Sequence, residues 1–195
     1  RSAKSFDETI EMVRTGKADI AVSKLSRTGE RARIVAFSSP YITLRHALLF
    51  NRLNLKQKSA DEDVGDYIRH FHGTLGVIEK SAYETFATMY FPDAKVVSLK
   101  NWSAVVDAAI DGTVDAGYRD EFAVRAVGLD QPETSISLRP ITIDDARSAI
   151  SVAVPWNKPM LLAIVNQVID DRPRKMNADD VMGLYRASIA EKGEQ

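Results

Sequence analysis

Two segments of this chain repeat one layout, and that repetition restricts the available folds more than any other feature. Phe6 to Asp19 reads as an aromatic start, a helical stretch, Gly16, two residues and an acid, and Trp102 to Asp115 reads the same way through Gly112. In the first segment Ser5 and Glu8 form a capping box, and Phe6, Ile10 and Val13 recur at helical spacing. In the second, Trp102, Val105, Val106, Ala109 and Ile110 make an apolar helical face. Each glycine ends its helix, and a β-like run follows: Ala18-Asp19-Ile20-Ala21-Val22 in one case, Val114-Asp115-Ala116-Gly117-Tyr118 in the other. The layout predicts an α/β protein of two similar lobes. The alternative is that helix, glycine, strand is common α/β grammar and the echo carries no meaning.

After the first β-like run comes Ser26-Arg27-Thr28-Gly29-Glu30-Arg31, a polar turn in which Thr28 caps a turn of helix carrying Glu30, Arg31 and Arg33. Val35-Ala36-Phe37 reads as a strand, which Ser38-Ser39-Pro40-Tyr41 stops. Arg31 therefore starts a helix just past a strand end, where open α/β sheets bind ligands. Its guanidinium is a fixed fork of donors suited to a carboxylate. The competing reading is a surface residue paired with Glu30 or another acid.

Farther along, Ala47-Leu48-Leu49-Phe50 is an apolar run long enough for a buried strand leaving the first lobe. Ser59-Ala60-Asp61-Glu62 reads as a capping box opening a helix through Val64, Tyr67, Ile68 and Phe71. Thr74 to Ile78 is a strand, Glu79 to Ala82 a turn, and Tyr83, Phe86, Ala87 and Tyr90 mark the next helix, whose N–H groups make its start favourable to anions. Lys95 to Leu99 is a strand, Glu121 to Val127 a short helix, and Gly128 to Pro132 a turn. Ile136 to Leu138 reads as a strand, Ile141 to Ala146 as polar connection, and Ala149 to Val154 as the strand returning to the first lobe. Helices follow from Pro159 and over Ala178 to Ile189. This reading places lobe 1 at 1–51, lobe 2 at 52–140, and the return crossover with the rest of lobe 1 at 141–195.

Chemistry narrows by exclusion. A formal net charge of −1 provides no global field for nucleic acid or anionic membrane, so charge recognition has to be local. With no cysteine, thiol catalysis and Cys-ligated zinc are out. The three histidines, at 46, 70 and 72, lack carboxylate partners at metal spacing, and His70 and His72 read as a helix-end pair. No G-x-S-x-G, Walker loop or dinucleotide glycine fingerprint occurs, so no cofactor or metal is expected. No apolar run approaches the roughly twenty residues of a membrane span, and if the protein is exported its leader lies outside this sequence.

G-K-A-D-I-A at Gly16 to Ala21, S-x-T-x-x-R at Ser26 to Arg31, F-S-S-P-Y at Phe37 to Tyr41 and D-G-T-V-D-A-G-Y-R-D at Asp111 to Asp120, in that order, carry a resemblance. The chain resembles the type 2 periplasmic solute-binding proteins of the amino-acid-binding family 3, whose ligand-binding cores are shared with ionotropic glutamate receptors. The resemblance covers nearly the whole chain. It implies a two-lobed periplasmic-binding-protein fold joined by crossover strands, closing on its ligand, with the first lobe incomplete because members normally begin with a strand, a helix and a second strand before the helix seen here. An exposed apolar sheet edge, prone to association, is expected to follow.

The resemblance also implies a site. Arg31 with the Ser26 hydroxyl corresponds to the carboxylate grip of the first lobe, Asp120 to the ammonium acceptor, and Ser81 with the Ala82 backbone to the second lobe's share of the carboxylate. Ala82 departs from the family, where threonine is frequent, and Lys24 departs where a small residue is usual. Lys24 is either a solvated lysine or a charge favouring a ligand with an extra acidic group. The implied function is capture of a polar amino acid or similar solute outside the cytoplasm, in the periplasm or extracellular space, for a membrane ABC permease. The alternatives are a sensor domain of a membrane receptor, or an enzyme like the cyclohexadienyl (arogenate or prephenate) dehydratases, for which Glu84 or Glu121 would be the general acid.

Overall fold

Helix caps and glycine stops set most of the element ends. A computed structural model describes residues 3, 5–59, 62–172 and 176–193. In chain order the first elements are α1 (Phe6–Arg14), β1 (Ala21–Ser26), a 3₁₀ turn (Arg31–Arg33), β2 (Ala36–Phe37), β3 (Ile42–Asn51), α2 (Arg52–Lys58) and α3 (Val64–Arg69). Next come β4 (Thr74–Ile78), α4 (Ala82–Tyr90), β5 (Lys95–Leu99), α5 (Trp102–Ile110) and β6 (Ala116–Asp120). The last are α6 (Glu121–Asp130), a second 3₁₀ turn (Pro132–Ile136), β7 (Leu138–Val154), α7 (Pro159–Asp170) and α8 (Ala178–Gly193). The chain divides into two units, Arg1–Leu44 with Arg147–Gln195, and Arg45–Ala146. It passes from one to the other within β3 and returns within β7.

In the first unit the Ser5 hydroxyl caps α1, accepting from the Glu8 N–H at 3.1 Å. Ile10 and Val13 turn inward onto Ala21, Leu25, Val35 and Ala153. Gly16 ends the helix in the left-handed region, at φ +73°, where an L side chain is strained. The strand after it starts at Ala21, three residues later than the sequence pattern indicated, because its pairing with β7 begins at Ala21↔Ala153. Both β1 and β2 run antiparallel to β7, through Ser26↔Ile150 and Ala36↔Val154. Helix α7 lays Leu161, Leu162 and Val165 against Val152, Val154 and Ile169.

In the second unit the strand order is β3-β6-β4-β5. β3 is antiparallel to β6 (His46↔Asp120, Phe50↔Ala116), while β6, β4 and β5 are mutually parallel (Leu75↔Ala116, Thr74↔Lys95). Alternation sorts the side chains onto two faces. Leu48, Phe50, Leu75, Val77, Ala116 and Tyr118 join one core with α4, and Ala47 and Leu49 join another with α5 and α6. Gly112 ends α5 at φ +79°, repeating the stop at Gly16. The two acids of the echo then diverge. Asp19 is exposed and meets Lys158 at 2.7 Å, whereas Asp115 is buried, meeting Lys58 at 2.7 Å and accepting from the Thr74 N–H at 2.8 Å.

Four local expectations are corrected. Helix α2 was not anticipated; it forms because the Asn51 carboxamide accepts from the N–H groups of both Leu53 and Asn54 at 3.0 Å. Ser59 does not cap the next helix but ends α2, donating its hydroxyl to Leu55 O at 2.7 Å, and α3 is capped by Asp63. Ala60 and Asp61 of that capping box lie outside the described residues. Helix α6 runs through Gly128 to Asp130, since Val124 and Val127 bury its inner face and Gln131, held out of helical geometry before Pro132, supplies the stop. The segment read as polar connection at Ile141 to Ala146 is part of the 17-residue strand β7. Ile141 and Ile143 pack on the core there on either side of Thr142, but the adjacent exposed acids Asp144 and Asp145 break the alternation.

Candidate functional site

Arg31 is placed by strand and turn together. β1 ends at Ser26, the Thr28 hydroxyl accepts from the Arg31 N–H at 3.3 Å, and the 3₁₀ turn that follows points the guanidinium back at the strand end. There its Nη1 donates to Ser26 O at 3.4 Å, and its centre lies 5.5 Å from the Phe6 ring centroid. Arg31 is 8% exposed and forms no ion pair among the described residues, so the surface pairing with Glu30 is not what holds it. Burial draws the guanidinium below its ordinary pKa, with the negative charges of Asp7 and Glu30 offsetting this in part. Lys24 sits one residue before Leu25 at φ +52°, in the stretch of β1 where the register with β7 slips, and the Tyr41 hydroxyl bonds to its backbone. Lys24, Ser26 and Arg31 are thus gathered within the first unit.

Ser81, Ala82 and Asp120 are gathered in the second. Because β4 and β6 are parallel neighbours, the residues after Ile78 and those ending β6 emerge on one edge of the sheet, the carboxyl edge where α/β sheets bind ligands. Ser81 occupies the cap position of α4 without capping it, for its hydroxyl makes no hydrogen bond there. That oxygen is buried, in a residue 6% exposed, and has no partner among the described residues. Asp120 is 2% exposed and caps α6, Oδ1 accepting from the Ala123 N–H at 2.9 Å. Its Oδ2 lies 3.6 Å from Arg119 Nε.

His46, directly across from Asp120 in the β3–β6 pair, was read in the sequence only as one of three histidines lacking carboxylate partners at metal spacing. It is fully buried among Phe86, Tyr83 and Tyr90, with ring centroids 4.9, 5.2 and 5.3 Å away, and its Nδ1 is hydrogen-bonded to the Tyr118 hydroxyl. Burial lowers the imidazole pKa to about 4, against the pull of Asp120, so at neutral pH it is uncharged. Burial pushes the Tyr118 hydroxyl the other way. The signal missed was long-range, since His46 and Tyr118 are 72 residues apart.

The two acids nominated for catalysis are engaged otherwise. Glu121 is buried and takes Arg45 in both oxygens, Oε1 from the backbone N–H at 2.8 Å and Oε2 from Nε and Nη2 at 3.0 and 2.8 Å. Glu84 accepts from the Lys80 N–H at 2.8 Å and from the Ser98 hydroxyl. His70 ends α3, its Nδ1 3.1 Å from Asp66 O. Among the described residues no group of three His, Asp or Glu is arranged to hold a metal, and no helix is long and apolar enough to cross a membrane.

Known proteins extend this geometry. The sequence profile of the bacterial extracellular solute-binding proteins, family 3, matches residues 2–181. The lysine/arginine/ornithine-binding periplasmic protein of Escherichia coli K12 is 28% identical over 132 residues, which are 67% of this chain and 48% of that one, so the chain spans about half the length of this relative. An amino acid ABC transporter substrate-binding protein of Streptococcus pneumoniae, bound to L-arginine, is 26% identical with a TM-score of 0.70, over 87% of this chain and 68% of that one. The binding component of an ABC transporter from Wolinella succinogenes, complexed with lysine, shares the fold at a TM-score of 0.73 and 21% identity, over 85% of this chain and 69% of that one.

Proposed function

Because the chain belongs to the bacterial extracellular solute-binding proteins of family 3, we propose that it captures a free α-amino acid. Such a ligand carries a carboxylate and an ammonium a few ångströms apart, and a receptor for it needs donors for one and an acid for the other. The observation that carries the reading is the buried, unpartnered hydroxyl of Ser81 at the start of α4, on the same sheet edge as the Asp120 carboxylate. A buried polar atom without a partner costs stability, and one beside a helix N-terminus is satisfied by an anion. In this assignment Ser81 and the Ala82 N–H are the second unit's donors for the carboxylate, and Asp120 takes the ammonium. Arg31, Ser26 and Lys24 are the groups that the first unit offers to such a ligand.

The same reading makes the protein the periplasmic or extracellular receptor of an ABC importer, with the membrane permease as its partner. The engagement of Glu121 with Arg45, and of Glu84 with Lys80 and Ser98, supports binding over dehydration chemistry. Calorimetry with the twenty common amino acids tests the proposal. Saturable binding of at least one, lost in Arg31→Ala, is the expected result. No binding across the set, or turnover of an aromatic precursor acid on incubation, overturns it.

A further inference from the structure

On the face of β6 opposite Asp120, two donors stand without acceptors. Side chains alternate across a strand, so Gly117 and Arg119 face α5 while Tyr118 and Asp120 face α4. Helix α5 comes so close that a β-carbon on Gly117 would lie 2.8 Å from Val105 Cγ1 and 3.4 Å from the Trp102 ring. This approach lets the Arg119 guanidinium lie over Trp102, 5.3 Å from the ring centroid. The Arg119 side chain is only 18% exposed, yet among the described residues its guanidinium donates no hydrogen bond. Its nearest acid, Asp120, is 3.6 Å from Nε, outside hydrogen-bond range, and already accepts from Ala123. The Trp102 indole N–H is buried and has no acceptor among the described residues either.

An indole N–H buried unused is unfavourable unless something else accepts, and the guanidinium over its ring offers five further donors. Both belong to residues at the carboxyl edge of the sheet that holds Ser81 and Asp120, for Trp102 opens α5 just past β5 and Arg119 is next to last in β6. The missing partner is therefore an acceptor, and its charge is negative. It is also a partner that tolerates Asp120 beside it. A bare polyanion would be repelled by that carboxylate, whereas a ligand bearing its own ammonium is not.

We propose that Arg119 and the Trp102 indole N–H form an anion subsite that takes the side-chain carboxylate of an acidic amino acid. This rests on the amino-acid reading of the site and names the substrate class within it. The ligand's ammonium faces Asp120 and its second carboxylate faces Arg119, so each charge of the neighbouring Arg119–Asp120 pair meets its opposite.

The test compares L-glutamate with L-norvaline, which has a side chain of similar length without the carboxylate, on the full chain by calorimetry. The parent is expected to bind L-glutamate at least tenfold more tightly than L-norvaline. Arg119→Gln should erase that preference while keeping L-norvaline binding, and Trp102→Phe, which keeps a ring beneath the guanidinium, should weaken the preference severalfold. With exposed Trp156 replaced by Phe, Trp102 is the chain's sole tryptophan, and its emission should respond to L-glutamate and not to L-norvaline. A parent without preference, or Arg119→Gln losing both ligands equally, overturns the assignment. If no amino acid binds the parent, the broader reading fails and the subsite falls with it, whereas L-norvaline binding without a preference for L-glutamate overturns the subsite alone.

Discussion

Replacing Asp120 with asparagine separates two jobs that one carboxylate performs. As a cap, Oδ1 accepts from the Ala123 N–H at 2.9 Å, and asparagine caps a helix about as well as aspartate. What the fold loses is the attraction of a negative charge to the α6 N-terminus, about 0.3–1 kcal/mol, and the contact with Arg119 at 3.6 Å is too long to add much. The unfolding midpoint should therefore move by only a few degrees. Ligand binding loses more. A hydrogen bond to a charged group is worth about 1.5–3 kcal/mol and a neutral one about 0.5–1.5, so the exchange costs about 1–1.5 kcal/mol and should weaken amino-acid binding roughly five- to 13-fold. Calorimetry at neutral pH with the amino acid and its des-amino analogue, on parent and Asp120→Asn, measures this. The analogue should bind the parent poorly and lose little further in the variant. Equal affinity of the parent for both would refute the ammonium role, and a collapse of the fold would refute the cap argument.

Arg31→Ala should cost ligand binding about 2–5 kcal/mol while Arg33→Ala, at an exposed position, does little; equal losses by calorimetry would point to general electrostatics. His46 has a folded pKa of about 4 against 6.5 when free, so its contribution to stability is complete above pH 6.5 and is lost as pH falls toward 4, amounting to roughly 3 kcal/mol. NMR titration of the imidazole should find it neutral down to about pH 5, and a midpoint near 6.5 would contradict its burial. Gly117→Ala should destabilise by about 1–3 kcal/mol, because the new methyl meets Val105 Cγ1 at 2.8 Å; an unchanged urea midpoint would show that α5 can withdraw without cost.

Local chemistry announces itself along a chain, and most of what was legible here is local. The Ser5 cap with Ile10 and Val13 behind it, the α5 face, the existence of strands β4 and β5 and the glycine stops at Gly16 and Gly112 depend on neighbours within a turn or two. So does Arg31, whose position after Ser26 and Thr28 is set within five residues. Ser81 and Asp120 were visible as motif positions, although nothing local says that they share a sheet edge. That follows from the parallel pairing of β4 with β6, between residues some forty positions apart.

The rest depends on partners that no window of sequence contains. His46 becomes a neutral, caged imidazole only because Tyr118 and α4 close over it. Glu121 is an ion-pair partner and not a free acid because β3 brings Arg45 to it across 76 residues. Continuous β7 was hidden because its solvent side is polar, and the donors of Arg119 and Trp102 lack acceptors only in a fold that stacks them. Propensity and capping act within a few residues, whereas desolvation and charge pairing act through space, between residues that have no relation until the sheet has formed.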